Sequence, residues 1–129
     1  MRIQLNRLFP AIFLLCLACP VSPFAAEQKL SKGEVVFIRE CAKCHQTGPG
    51  ARNKIGPRLS ALFGRPAGTL EGYRNFSDAM RNAGFVWTRE NFREFIREPK
   101  IMMMGTTQIY PGLKDEQSIS ALIDYLETR

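Results

Sequence analysis

The chain of 129 residues has one histidine, His45, and four cysteines, two of which, Cys16 and Cys19, lie in an N-terminal apolar stretch. A structural zinc site needs four Cys or His ligands, and two remaining cysteines with one histidine do not supply it. The single histidine also excludes iron ligation by two imidazoles and leaves no second imidazole for acid–base chemistry. There is no basic run and no interleaving of basic with aromatic residues, so nothing points to nucleic acid. No stretch alternates as a strand does, and no internal repeat or low-complexity tract is present. The apolar run from Leu8 to Ala18, broken only by Pro10, is too short to be a good membrane span.

What is present is Cys41-Ala42-Lys43-Cys44-His45, a C-x-x-C-H run. This is the attachment signature for haem of the c type. Two thiols at that spacing can each add across one vinyl group, and His45 then supplies the proximal imidazole nitrogen to the iron. A thioredoxin-like dithiol would need a β-α-β context, and none is visible. A plain disulfide between Cys41 and Cys44 is the remaining alternative.

Residues 1–26 read as an export signal, with Arg2 and Arg7 ahead of the apolar run and Phe24-Ala25-Ala26 as the cleavage zone. The alternatives are an uncleaved N-terminal anchor and a lipid anchor on Cys19. Net charge is +6 at pH 7, and loss of Arg2 and Arg7 with the leader brings it to +4. That balance suits an acidic protein partner. Residues 27–129 make one small domain, near the lower limit for a core that stands alone. A bound haem would fill its middle.

Three helices are expected. Ser31-Lys32-Gly33-Glu34 reads as a capping box, opening a helix to about Lys43. Gly33 in its first turn predicts that another helix crosses closely there. Thr88-Arg89-Glu90 starts a second helix, with Phe92, Phe95 and Ile96 on one face and Pro99 ending it. From Asp115 to Thr128 the apolar residues Ile119, Leu122, Ile123 and Leu126 recur at helical spacing, predicting a terminal helix that packs on the first at Gly33 and Phe37. Residues 46–75 read as loop. The expected architecture is all-α, with short helices and long loops.

Several blocks in order give the chain a resemblance to the class I cytochromes c of the small soluble mitochondrial and bacterial type. They are Lys32-Gly33 with Phe37, Cys41 to His45, Gly56-Pro57-Arg58-Leu59, Leu62-Phe63-Gly64-Arg65, Gly72-Tyr73, Asn82 to Trp87, Glu98-Pro99-Lys100, Gly112-Leu113-Lys114 and Leu122 to Leu126. The resemblance implies one covalent haem c and a backbone carbonyl at Pro57 accepting from the His45 ring. It implies Arg65, Tyr73 and Trp87 around the haem propionates, and Lys43, Lys54 and Lys100 around the exposed haem edge. Phe76 and Phe95 stand where the family usually has Tyr.

At the distal ligand the chain departs from the family pattern. Where the resemblance implies Gly-Thr-Lys-Met, the chain reads Gly105-Thr106-Thr107-Gln108. Gln108 thus stands at the position of the distal methionine. An amide oxygen is a harder and weaker donor than a thioether. It should lower the potential, since Met/His ligation raises it. Three arrangements follow: Gln108 at the iron, the loop re-registered so that Met104 or a neighbour binds, or an open site held by water or Lys100. The run Met102-Met103-Met104 also reads as packing under a loop.

The expected function is a periplasmic, single-haem electron carrier, monomeric and not an enzyme. It would exchange electrons with redox proteins such as membrane oxidase or reductase complexes or a periplasmic dehydrogenase. The alternative is a haem protein binding NO, CO or peroxide at a weak distal site.

Overall fold

The structure, a computed structural model, describes residues 29–129. The expected signal segment, with Cys16 and Cys19, lies outside the described residues. Five helices form among those described: α1 (Lys32–Glu40), α2 (Asp78–Arg81), α3 (Arg89–Arg97), α4 (Pro99–Met102) and α5 (Glu116–Glu127). Residues 46–75 contain no helix, as expected.

The helix starts follow from their caps. Ser31 Oγ accepts from the Glu34 amide at 3.1 Å, but only this half of the expected capping box forms. The complete box is at α3: Thr88 Oγ1 accepts from the Asn91 amide, and Asn91 Oδ1 accepts from the Thr88 amide. Asp115 caps α5 through the Ser118 amide at 2.8 Å. The first helix stops at Glu40, earlier than expected, because Cys41 takes the C-cap and the next residues form a turn. Pro99 does more than end α3. It also opens α4 at the N1 position, where its missing N–H costs nothing.

Helix α5 is the centre of the core. Ile119, Leu122, Ile123 and Leu126 are fully buried or nearly so, as their helical spacing predicts. Each such side chain contributes about 1.5–3 kcal/mol relative to exposure. Helix α1 crosses α5 at Gly33, where a Cβ would stand 2.0 Å from the Ala121 carbonyl oxygen. Phe37 and Tyr125 meet in the same crossing, ring centroids 5.7 Å apart.

Helix α3 flanks α5 on another side, joined by ion pairs from Arg89 to Asp124 (2.7 Å) and Glu127, and from Arg93 (3.0 Å) and Arg97 to Glu116. Such exposed pairs are individually weak, so here they chiefly fix the helix register. Trp87 packs edge-on against Phe85, Phe92 and Phe95, with centroids 4.9, 6.1 and 5.2 Å away. One short antiparallel pairing interrupts the helical pattern: Gly64 N–H donates to Trp87 O, Trp87 N–H to Arg65 O, and Ala67 N–H to Phe85 O. It places Arg65 beside Trp87.

Candidate haem-attachment site

The C-x-x-C-H run begins where α1 runs out. The Cys41 and Ala42 amides both donate to Phe37 O, at 2.8 and 2.9 Å. The Cys44 and His45 amides then both donate to Cys41 O, at 3.0 and 2.9 Å. One helical exit and one tight turn therefore hold all three side chains in a single short arc. Cys41 and Cys44 are both free thiols, not a disulfide, and Cys41 is buried. Burial above all, with Glu40 and Cys44 adding to it, pushes the Cys41 thiol up to about 12. It therefore stays protonated near neutrality, unlike a reactive thiolate.

Loop 52–59 wraps this arc. Gly56 N–H donates to Cys44 O at 2.9 Å, Leu59 N–H to Gln46 O at 2.8 Å, and Lys54 Nζ to Ala42 O at 2.6 Å. The wrap brings Pro57 O to 2.7 Å from His45 Nδ1. A carbonyl only accepts, so Nδ1 must carry the proton. In the neutral ring the lone pair is then on Nε2, free for a metal. Burial holds the His45 pKa below the ordinary histidine value. The Pro57 carbonyl acts in the opposite sense, and the Lys54 charge reinforces burial. The imidazole is thus held neutral and fixed in one tautomer.

Behind the ring lies Gly56. A Cβ there would meet His45 Cε1 at 2.2 Å and both ring nitrogens at 2.7 Å. The resemblance gives the Pro57 carbonyl its role, but the packing role of Gly56 is visible only in three dimensions.

The other residues expected at the site divide. The Arg65 guanidinium is half-buried and donates to Ser60 O (3.2 Å) and Arg58 O (3.4 Å). Burial and the neighbouring Arg58 charge hold its pKa below the usual arginine value. Among the described residues no carboxylate pairs with it. A shielded cation with only carbonyl partners suits an anionic group such as a propionate. Tyr73 OH donates to Ile55 O at 2.7 Å. Trp87 is buried in the aromatic cluster. Lys43, Lys54 and Lys100 are all exposed, and Lys54 Nζ also donates to Ala42 O. Thr47 Oγ1, two residues past His45, is buried and has no hydrogen-bond partner among the described residues. The free thiols, the fixed imidazole, the glycine backing and the unpaired guanidinium together fit a covalent haem.

Gln108, the residue expected on the distal side, is half-buried, and its backbone N–H donates to Thr106 Oγ1 at 3.3 Å. Met104 is 85% exposed, and Met103 is 6% exposed within the core. The two methionines are therefore turned to solvent and to packing respectively.

The chain was compared with known proteins. The profile of the family described as "Cytochrome c" matches residues 30–129. A cytochrome c2 from Blastochloris viridis is 52% identical over 114 residues, covering 88% of this chain and 87% of that protein. A cytochrome c2 from Rhodoplanes tepidamans is 40% identical, covering 77% and 91%. Among solved structures, cytochrome cH from Methylobacterium extorquens superposes with a TM-score of 0.69 at 32% identity, covering 76% of this chain and 96% of that one. The chain belongs to the cytochrome c family, as a class I cytochrome c with one covalently attached haem c.

Proposed function

We propose that Cys41 and Cys44 carry the two thioether bonds, that His45 is the proximal iron ligand, and that Gln108 faces the iron on the distal side. The protein is a single-haem c-type cytochrome in electron transfer. The observation that carries the proximal reading is the 2.7 Å hydrogen bond from His45 Nδ1–H to Pro57 O, which fixes the tautomer and leaves the Nε2 lone pair free. Haem c supplies the reversible one-electron chemistry of its iron. The chain's own residues fix the ligand ring, seal it with loop 52–59 and provide Arg65 for an anionic substituent. Gln108 is preferred over Met104 because Met104 is turned to solvent, and over Met103 because Met103 is committed to the core.

The carrier acts in the periplasm, after removal of residues 1–26, as a monomer that meets redox protein partners. Thioether formation outside the cytoplasm and the N-terminal charge pattern support this reading. No described helix is long and apolar enough to cross a membrane. Lys43 and Lys100, which the resemblance puts around the haem edge, and the exposed Ile55 and Ile109 (72% and 91%) supply basic and apolar side chains for transient docking. Enzyme chemistry is not part of the proposal. The only histidine is committed to Pro57, and Gln108 does not titrate.

The test is to add carbon monoxide to the dithionite-reduced protein and follow its visible spectrum. An amide ligand is weak, so CO is expected to bind and shift the spectrum. An unchanged spectrum would mean a strong internal ligand and would remove Gln108 from the iron. Electron transfer is checked separately: reduction by an acidic redox protein should slow as ionic strength rises. Tight, fast CO binding with no such electron exchange would favour small-ligand binding as the function.

A further inference from the structure

Residues 106–112, which carry Gln108, form neither helix nor strand. The Thr106 amide donates back to Met103 O at 3.2 Å, and the Gln108 amide to Thr106 Oγ1 at 3.3 Å. Both bonds are local. Among the hydrogen bonds of the described residues, one ties this stretch to a distant part of the chain. The Tyr110 hydroxyl donates to Glu40 Oε2 at 2.8 Å, across 70 residues of sequence. The other Glu40 oxygen accepts from Arg39 Nε at 2.5 Å.

Glu40 is the last residue of α1 and directly precedes Cys41. Its side chain is 21% exposed, and Tyr110 packs against the core. A hydrogen bond to a shielded carboxylate belongs to the stronger class. This one joins the helix that delivers the attachment motif to the loop that delivers Gln108. Only Ile109 separates Gln108 from Tyr110, so the two are at most about 7 Å apart along the chain. While Tyr110 is held, Gln108 has little freedom to leave.

We propose that the Glu40–Tyr110 hydrogen bond is a latch that keeps loop 106–112 closed and so limits access of an external ligand to the sixth position of the iron. The inference rests on the reading that Gln108 faces the iron. Glu40 and Tyr110 are positioning residues in it, acting through the loop backbone.

The experiment compares ferric holoprotein with its Tyr110→Phe and Glu40→Gln variants. Imidazole binding is followed by absorbance in a stopped-flow instrument, and amide hydrogen exchange is followed in residues 106–112 with α5 as internal reference. Tyr110→Phe should bind imidazole about tenfold faster or more, the change expected for losing a hydrogen bond to a charged group. Exchange should quicken in 106–112 and much less in α5. Glu40→Gln, which keeps an acceptor without the charge, should fall between. An unchanged imidazole rate in Tyr110→Phe overturns the latch, whatever the exchange does. Equal acceleration of exchange in 106–112 and in α5 also overturns it, because that is general loosening. The underlying ligand reading fails in a different way: Gln108→Ala would then leave the ferric spectrum unchanged, while the comparison of imidazole rates would still decide the latch.

Discussion

The imidazole of His45 rests against the α-carbon of Gly56, so closely that a Cβ there would stand 2.2 Å from Cε1. The same loop segment supplies the Pro57 carbonyl to Nδ1 at 2.7 Å. Contact from behind and a hydrogen bond from the side together leave the ring one orientation. Gly56→Ala therefore has to move either the ring or the loop. Overpacking of this kind costs about 1–3 kcal/mol. We expect a lower guanidinium midpoint for the holoprotein and a visible spectrum showing partial loss of the proposed bond from His45 to the iron. Retention of both the midpoint and the spectrum would mean that the contact is easily relieved.

Gly33 and Ala121 make a second contact that admits no side chain. A Cβ on Gly33 would also lie 2.5 Å from Tyr125 Cβ, so backbone and side chain block it together. On helix propensity alone, Gly33→Ala would stabilise α1 by up to about 1 kcal/mol. At this crossing the sign reverses. We expect destabilisation of about 2 kcal/mol or more, since α1 must lift from the fully buried face of α5. The same substitution at an exposed helical position would show the propensity gain. Thermal unfolding of the holoprotein measures the difference.

Much of this architecture is legible in the sequence because it is local. The C-x-x-C-H run, the Ser31 cap, the helix start at Thr88 and the Ile119–Leu126 stripe are all short-range patterns, and the cap, the start and the stripe reappear in the structure, where Thr88 and Asp115 prove to be caps as well. Gly33 is legible as an anomaly, a glycine where propensity disfavours one. The remainder depends on residues far apart in the chain. Helices α2 and α4 have four residues each, too short for a periodic signal. The pairing of 64–67 with 85–87 shows no alternation, because its bonds close a loop instead of building a sheet. Gly56 behind His45 and Glu40 beneath Tyr110 have no sequence signature, since nothing in either segment encodes its distant partner. Lys54, expected around the haem edge, is exposed and donates to the Ala42 carbonyl inside the attachment motif, a contact no local pattern signals.

Carboxylates with lowered pKa values make the fold lose stability in acid. Hydrogen bonds from Ser118 hold Asp115 below its ordinary pKa, Arg97 does so first for Glu116, and Arg39 first for Glu40. Groups with depressed folded pKa values bind fewer protons folded than unfolded, so stability rises with pH through their titration. The contribution is complete above the ordinary carboxylate range, about 4, and is lost as pH falls through the lower folded values. The depressed His45 value acts in the same sense at higher pH, so urea midpoints should already decline below the ordinary histidine value of about 6.5 and should drop more steeply below about pH 4. Asp115→Asn keeps a good N-cap but cannot titrate. Combined with Glu116→Gln, it should give a shallower acid decline than the parent chain, with a lower midpoint at pH 7. An equally steep decline would place the acid sensitivity elsewhere.

Gln108→Met tests the distal side in the opposite direction from removal. A thioether is softer than an amide oxygen and favours ferrous iron. If Gln108 faces the iron, the new methionine should bind there, raise the reduction potential and slow CO binding to the reduced protein. Each tenfold gain in preference for the ferrous state appears as about 60 mV, for a one-electron couple. The loop already bends at Gly105, and Gln108 and Met are of similar length, so little rearrangement is needed. Potentiometric titration of the two proteins reads the effect directly. An unchanged potential together with unchanged CO kinetics would mean that position 108 does not reach the iron. The sixth position would then be open or belong to another residue of the loop, and Met104→Leu would be the next variant to separate those two arrangements.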